Sequence, residues 1–207
     1  AQFAAELCRT ILQRRSPALL QSALLVPTMT MPVQAAFLPA LMAAMTGTLP
    51  AETDSSADTG SAAEGAGAWF EDRRSAGSAH YGLDNDSIQR YLPLDRTPWA
   101  APWANLAGVH YEQMGRAAWS REQWLELATP TLDRTAWLLA RHARRFGIPL
   151  RKLTDAELRS GKRGVITHRQ ATRVFGGTHS DPGSGYPIGW VLERARRYKK
   201  DSEGAQK

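Results

Sequence analysis

The chain has 207 residues, of which 43% are hydrophobic and 22% charged, and this globular composition excludes a wholly disordered protein. Its net charge of +6 favours an anionic partner, and charge alone leaves nucleic acid, an anionic cell-wall polymer and an acidic membrane open. The single cysteine, Cys8, excludes an intrachain disulfide framework and a cysteine-rich zinc site, and we expect its thiol to be inert.

Residues 1–40 are predicted to form an N-terminal arm outside the main domain. Apolar side chains recur at helical spacing in residues 1–15, which predicts an amphipathic helix. No charged residue occurs between Ser16 and Ala51, as in a membrane segment, but prolines divide residues 16–40 into pieces too short for a spanning helix. We therefore expect buried or packing segments here and no stable membrane insertion.

The middle of the chain has the pattern of several short strands and one helix. MAAMTGT (42–48) is a short apolar run bounded by turn formers, which is typical of a buried strand. AAEGAGAWFEDRR (62–74) is predicted to be a helix that presents its aromatic residues to a core. HYGLD (80–84) and SIQRYLP (87–93) flank an Asn-Asp turn and predict a hairpin, and GVHYEQMG (108–115) predicts a further strand.

The clearest helix in the sequence begins after Ser120. Ser120 and Gln123 form a capping box, and the apolar spacing continues to Phe146, with Pro130 expected to bend or break the helix. RGVITH (163–168) is then predicted to be a strand. Strands and helices mixed in this order predict an α/β or an α+β domain with one central sheet. Of the two we favour the α/β class, with a central mixed β-sheet flanked by helices.

The C-terminal end is basic and helical in pattern. PIGWVLERARRYKK (187–200) predicts a terminal helix, and residues 193–207 form a basic tail after a main domain that we place at residues 41–192. No RNA-binding aromatic motif accompanies these charges, so the tail is predicted to be a solvated helix end and not a nucleic-acid patch.

The segment GVITHRQATRVFGGTHSDPG (164–183) holds the candidate chemistry. His168 follows a predicted strand, and Asp181 lies in a turn fixed by the following Pro-Gly. His179 stands two residues before Asp181, so in extended backbone both side chains point to the same side. Zinc hydrolases need such imidazole and carboxylate ligands, with an acid/base group outside the ligand set, and Glu112 on a separate strand fits that role. From spacing alone, a plain polar loop stays open as the alternative.

Several stretches resemble one family in the same order along the chain. THRQATRVFGGTHSDPGSGYP resembles the C-terminal signature of the type-2 N-acetylmuramoyl-L-alanine amidases, zinc enzymes related to animal peptidoglycan recognition proteins and abundant among phage endolysins. GSAHYGLDNDSIQRYLPLDRTPWA resembles the family's hairpin and Trp loop. Asn105 with AGVHYEQMG resembles its strand "N-x-x-S-I-x-I-E-x-x-G", and FGIPLRKLT the link after its long helix. The resemblance covers roughly residues 40–192.

This resemblance implies a fold, an activity and a set of site residues. The fold would be that of the amidases and peptidoglycan recognition proteins, and the activity would split N-acetylmuramic acid from L-alanine in bacterial peptidoglycan, at the cell wall, as a phage lysin or a secreted enzyme. His168 and Asp181 would be zinc ligands. Glu112 would activate the water, and His179 would stabilise the oxyanion of the tetrahedral intermediate.

Other residues have two interpretations each. Trp99 and Tyr186 are candidates for a sugar or peptide platform, or for aromatic core packing. His80 is expected in the core, with lining of the cleft as the alternative. His110 shares a face with the Glu112 position by alternation, but a packed or surface role is favoured. His142, on the long helix, is expected to face solvent. The oligomeric state stays open.

The chain departs from the family at the first zinc ligand. The family places a histidine in a strand similar to "V-I-H-x-T", and the matching segment, residues 43–48, has Thr46 there, with no histidine before His80. Three explanations stay open: a degenerate domain that binds cell-wall material without cutting it, a rearranged zinc site completed by His179 or His80, or an upstream segment that is incorrectly represented in this chain. The leading hypothesis is the enzyme, and the rival is a non-catalytic binding or structural module.

Overall fold

The computed structural model describes residues 40–42, 62–101 and 104–204, with backbone alone for residues 40–42. All of these belong to one compact unit, which runs from Val33 to Lys207. The predicted N-terminal helix, Cys8 and Thr46 lie outside the described residues. Within the described residues, no helix is long and apolar enough to cross a membrane.

The described strands form a mixed sheet in two parts. In the first part β1 lies between β4 and β6, and both pairings are parallel; in the second, β2 lies between β3, which is antiparallel to it, and β5, which is parallel. His110 alone separates β4 from β5, so one segment of chain contributes to both parts. The strands are β1 (Ala40–Met42), β2 (Tyr81–Leu83), β3 (Ile88–Arg90), β4 (Gly108–Val109), β5 (Tyr111–Gln113) and β6 (Val165–Ile166).

Helices flank this sheet, as the sequence predicts. The predicted helix after residue 61 is confirmed, but its Trp69 is 39% exposed and does not enter a core as predicted. The described part of the first strand begins two residues before the predicted 42–48. The helices are α1 (Ala62–Glu71), α2 (Arg121–Leu127), α3 (Thr129–Phe146), α4 (Asp155–Arg159), α5 (His168–Phe175) and α6 (Ile188–Gly204). Short 3-10 turns lie at Arg73–Ser75 and Asn105–Ala107.

The hairpin of β2 and β3 is fixed by one buried carboxylate. Asp84 Oδ1 accepts hydrogen bonds from the backbone N–H groups of Asp86 and Ser87, at 3.1 and 2.8 Å, and closes the turn. Its Oδ2 accepts from the N–H of Ala63 at 2.8 Å, so the same side chain holds the start of α1 against the sheet.

The predicted long helix is interrupted near the predicted place. The capping box is present: Ser120 Oγ accepts from the N–H of Gln123, and Gln123 Oε1 accepts from the N–H of Ser120. The helix is interrupted at Ala128. Pro130 lies in the first turn of α3, where backbone N–H groups have no acceptor within the helix, so the missing N–H of proline costs no hydrogen bond. Gly147, with φ of 63°, ends α3 in the left-handed conformation.

Helices α3 and α6 cover one face of the sheet. Leu132, Leu139 and Val191 are buried in the core between them and the strands. The basic segment after residue 192 continues α6 to Gly204 and is held to α3, because Asp133 accepts hydrogen bonds from Arg194 Nε at 2.7 Å and from the Tyr198 hydroxyl.

His142 does not face solvent, and that prediction is wrong. It lies on the face of α3 that packs against the sheet, where its Nδ1 accepts a hydrogen bond from the hydroxyl of Tyr111. Burial lowers the pKa of His142 to about 4, so the imidazole is neutral and can accept this bond. Burial also raises the pKa of Tyr111, which keeps the hydroxyl protonated as the donor.

Candidate active site

His168 begins a helix directly after a strand. β6 ends at Ile166, Thr167 caps α5 by accepting a hydrogen bond from the N–H of Gln170 at 3.3 Å, and His168 is the first helical residue. Its side chain is 3% exposed. The strand end and the capped helix together give His168 a rigid backbone, slightly different from the strand end that the sequence predicts.

The loop after α5 returns to the start of that helix. Gly176 and Gly177 have φ of 95° and 129°, a region that favours glycine, and they let the chain reverse after Phe175. The carbonyl oxygen of Asp181 then accepts a hydrogen bond of 2.7 Å from the N–H of Arg169. This backbone contact places the Asp181 carboxylate beside His168.

The reversal of the loop is completed by a tight turn. The N–H of Gly183 donates to the carbonyl of Ser180 at 2.9 Å, across the cis peptide bond between Asp181 and Pro182. Gly183 has φ of 83°, and a Cβ there would lie 1.8 Å from the carbonyl oxygen of Ala117. The predicted turn is thus present, and only glycine fits at its end.

Two imidazoles and one carboxylate meet at this corner. Asp181 Oδ2 lies 3.0 Å from His168 Nδ1, and Asp181 Oδ1 lies 3.7 Å from His179 Nδ1. The rings of His168 and His179 stack, with 4.2 Å between their centroids. One donor atom from each of the three residues lies within 4.8 Å of the others. We call His168, His179 and Asp181 the His-His-Asp cluster.

The chemistry of this cluster suits a zinc ion. Imidazole nitrogens and a carboxylate oxygen are ligands that zinc takes in hydrolases, and three of them leave a further position for water or substrate. His168 and Asp181 are buried, whereas the side chain of His179 is 58% exposed, so the cluster opens to solvent on the His179 side. The donor set, its spacing and its access therefore fit the metal that the resemblance implies.

Glu112 lies on the same side of the sheet as α5. Tyr111 points to α3, so the neighbouring Glu112 points to the other face by alternation along β5. His110 also points to that face, where its Nε2 donates to the carbonyl of Ala104 at 3.2 Å, and Ala104 packs with Ala171 of α5. Glu112 is 3% exposed. The acid/base role predicted for Glu112 requires a position outside the metal ligands, and Glu112 is not one of the three clustered donors.

Sequence reasoning missed the tyrosine beside Glu112. Gly82 is the register partner of Glu112 on β2, and a Cβ on Gly82 would lie 1.6 Å from the hydroxyl oxygen of Tyr91. Burial raises the pKa of Tyr91, and the nearby charge of Glu112 adds to the effect. The sequence does contain a signal for this contact, because Gly82 lies inside a strand and a glycine there indicates a close approach by another group.

His80 and His110 form a buried pair on that face. Their rings stack at 5.7 Å, and His80 Nδ1 accepts a hydrogen bond from the N–H of His110 at 3.1 Å. Burial lowers the pKa of His80 to about 4 and that of His110 to about 3, with the charges of His80 and His168 adding to the latter. The structure thus places His80 in the core, as expected, and gives His110 a packed role.

The two candidate platform residues have different surroundings. Trp99 is 67% exposed and can present its ring to a ligand. Tyr186 is buried, its hydroxyl donates to Gln113 Oε1 at 2.8 Å, and its ring packs edge-on against Trp124. Tyr186 therefore corresponds to the core alternative, because no face of its ring reaches solvent.

A shallow depression of about 350 Å³ lies elsewhere, and none of the predicted site residues lines it. It is formed where α3, α6 and β3 meet, by Ile88, Pro130, Asp133, Arg134, Trp137 and Tyr198. Its carboxylate, Asp133, is already bonded to Arg194 and Tyr198. The chemistry of the His-His-Asp cluster makes that cluster the better candidate for an active site.

A mixed sheet is covered by helices, two imidazoles and one carboxylate meet near the end of β6, and a buried carboxylate lies on β5. The three clustered side chains are of the kinds that can hold a metal ion in a hydrolase. The family model described as N-acetylmuramoyl-L-alanine amidase matches residues 47–184, more than half of the chain. This protein belongs to that family and is an amidase of the hydrolase class. The match includes Glu112 and all three residues of the cluster.

One solved structure shows the fold of this chain, and two others are similar with lower TM-scores. The Staphylococcus aureus hydrolase AmiA, solved in complex with its ligand, has a TM-score of 0.58 and 14% identity, and the match covers 87% of this chain and 82% of that one. This likeness shows the fold. A selenomethionine AmpD derivative (TM-score 0.49, 16% identity) covers 84% of this chain and 92% of its own, and a mutant endolysin from Bacillus subtilis (0.45, 15%) covers 83% and 87%. No curated protein matches the sequence.

Proposed function

We propose that this protein is a zinc-dependent amidase that hydrolyses the bond between N-acetylmuramic acid and L-alanine in bacterial peptidoglycan. It acts at the cell wall, as a phage lysin or as a secreted enzyme. The observation that carries the proposal is that one donor atom from each of His168, His179 and Asp181 lies within 4.8 Å of the others. The three residues lie on the side of the sheet where Glu112 lies.

The protein residues divide the work of the reaction. His168 and Asp181 would hold the ion, which when bound supplies a Lewis acid for the substrate carbonyl. Glu112 takes the proton of the attacking water and passes it to the amide nitrogen as the carbon–nitrogen bond breaks. The resemblance gives His179 the task of stabilising the oxyanion at the carbonyl oxygen.

Substrate contacts follow from exposure and charge. Trp99 offers an exposed ring on which a sugar or a peptide side chain can stack. The net charge of +6 favours approach to an anionic wall polymer. Neither feature requires nucleic acid or membrane as a partner.

The experiment is hydrolysis of purified peptidoglycan. We expect turbidity to fall with time, activity to stop with a zinc chelator and activity to return when zinc is added. Glu112→Gln is the matched control, because it keeps the shape of the side chain and removes the proton acceptor. Turbidity that is stable with the zinc-loaded protein would contradict the proposed activity.

A non-catalytic binding module is the second candidate, and Thr46 favours it. In that case the protein would sediment with purified walls, bind no zinc and release no product. Thr46→His would then restore both zinc binding and lysis, because it supplies the imidazole that the family has at this position. The presence of zinc and hydrolysis in the wild type would eliminate this candidate.

A further inference from the structure

We infer that His179 is the third protein ligand of the metal, and not the residue that stabilises the oxyanion. The inference rests on the zinc dependence proposed above and assigns a role to one residue of that site. Catalytic zinc normally takes three protein ligands, and His168 with Asp181 supplies two. A third donor must come from elsewhere in the chain.

The position of His179 is that of a ligand. Its Nδ1 lies 3.7 Å from Asp181 Oδ1, and Asp181 Oδ2 lies 3.0 Å from His168 Nδ1, so each carboxylate oxygen faces one of the two imidazoles. The two rings stack with 4.2 Å between their centroids, and one donor atom from each of the three residues lies within 4.8 Å of the others.

The other histidines of the described residues are unsuitable. The sequence has five histidines, and all of them lie within the described residues. His80 uses both ring nitrogens, because Nδ1 accepts from the N–H of His110 and Nε2 donates to the carbonyl of Arg96. His142 contacts Tyr111 on the face of the sheet opposite to the cluster.

His110 is the strongest competitor, since its Nδ1 is buried and has no hydrogen-bond partner among the described residues. Its Nε2, however, is tied to the carbonyl of Ala104, and its ring stacks on His80 in the sheet. None of its atoms joins the group of donors that lie within 4.8 Å of one another. Among the histidines of the described residues, His179 alone completes the set with His168.

The loop that carries His179 explains how this residue can act as a metal ligand. Gly176 and Gly177 allow the backbone to turn back, and the Asp181 carbonyl bond to Arg169 holds the far end of the loop against α5. His179 lies between these two points, with 58% of its side chain exposed. A ligand from this loop replaces one from the first strand, and the metal site then lies entirely within residues 168–181.

His179→Lys separates the two roles. A lysine keeps a positive donor that can stabilise an oxyanion, but its ammonium group has no lone pair for zinc. We expect the zinc affinity, measured by competition with a chromophoric chelator, to fall about 100-fold or more, because one of three ligands is lost. Zinc affinity within about threefold of wild type, together with retained hydrolysis, would overturn the inference, since an oxyanion role that lysine can fill requires that result.

Two controls keep the outcome clear. Thr178→Lys adds the same charge one residue earlier in the same exposed loop, and we expect it to leave zinc affinity unchanged; an equal loss in both variants would assign the effect to charge and overturn the inference. X-ray absorption of the wild-type zinc protein counts the imidazole ligands without any substitution. Two imidazoles are expected, and one would overturn the inference.

The proposed function fails in a different way. A wild-type protein that binds no zinc would contradict the zinc dependence itself, together with the ligand role of His179. A wild type that binds zinc, with loss in His168→Ala and none in His179→Lys, would remove the ligand role of His179 and leave the proposed amidase intact.

Discussion

Two groups of histidines in this protein differ in the side chains that surround them. His80, His110 and His142 are buried in the sheet and the long helix, and burial lowers the pKa of each to between about 3 and about 4. His168 and His179 lie at the start of α5 and in the loop after it, and each faces one oxygen of the Asp181 carboxylate.

The difference shows what decides the role of a histidine. A ring enclosed by a sheet face loses water, which favours its neutral form, and its nitrogens then serve as hydrogen-bond donors and acceptors, as in His80. A buried ring at the end of a strand, beside a carboxylate and an exposed second ring, has the neighbours that a metal site needs. We therefore expect substitutions in the first group to change stability and in the second to change activity.

The largest effect is expected for His168→Ala. Hydrolysis of peptidoglycan should fall to the background level, because the buried ligand is lost and the remaining donors hold zinc weakly. Release of free amino groups from purified walls measures this, with zinc content measured in parallel. If the folded His168→Ala protein hydrolyses peptidoglycan at the wild-type rate, the active site lies elsewhere and the two groups of histidines do not differ in role as described.

Glu112→Gln should have the second largest effect. It should reduce hydrolysis by about 10²- to 10⁴-fold, which is the usual contribution of a general base. The amide has the shape of the carboxylate but cannot take the proton of water. Zinc content should equal that of wild type, since Glu112 is outside the cluster. Loss of zinc in this variant would instead make Glu112 a ligand.

The stability of the fold should depend on pH through the buried histidines. The unfolded chain takes up these protons near pH 6.5, and the folded protein does so only near pH 4 or below. Stability is thus fully present above pH 6.5 and is lost as pH falls, with linked uptake of up to three protons. Urea unfolding from pH 7 to pH 4 measures the slope, which should be smaller in His142→Gln; a flat profile would contradict neutral, buried rings.

His142→Ala should lower the free energy of unfolding by about 1–3 kcal/mol, because the buried hydroxyl of Tyr111 loses its acceptor and a small cavity remains. Hydrolysis per folded molecule should not change. Arg141→Ala, one residue earlier and exposed, is the control and should change stability by about 0.5 kcal/mol or less. An activity loss in His142→Ala without a stability change would contradict its structural role.

Trp99→Ala is expected to have the smallest effect, a rise of a few-fold in KM at unchanged kcat, because one exposed ring contact contributes about 1 kcal/mol. Steady-state kinetics on a soluble muropeptide substrate provide both constants. If kcat falls while KM stays constant, Trp99 acts on the reacting groups and not as a platform.

Much of the fold could be predicted from local signals. The capping box at Ser120, the hairpin around the Asn85-Asp86 turn and the turn before Gly183 each depend on residues that are neighbours in the sequence. The structure confirms all three. The interruption of the long helix was also predicted, although Pro130 lies just inside the second helix and not at the break itself.

The rest depends on contacts between distant segments. His142 was misassigned because the amphipathic pattern of α3 has a wide buried face, which a single polar residue does not reveal. The contact of Tyr91 with Gly82 requires the register of β2 and the path of the chain after β3. His168 and Asp181 could be proposed together from spacing and resemblance, but the approach of His179 to both depends on the backbone of the glycine loop.

The central claim is that this chain cuts the amide bond to L-alanine with a bound zinc ion. Mass spectrometry of peptidoglycan digested by the zinc-loaded protein tests it most directly. We predict one zinc per chain and stem peptides released with a free N-terminal L-alanine, with intact glycan strands. A protein without zinc that leaves every stem peptide attached to N-acetylmuramic acid would contradict the account.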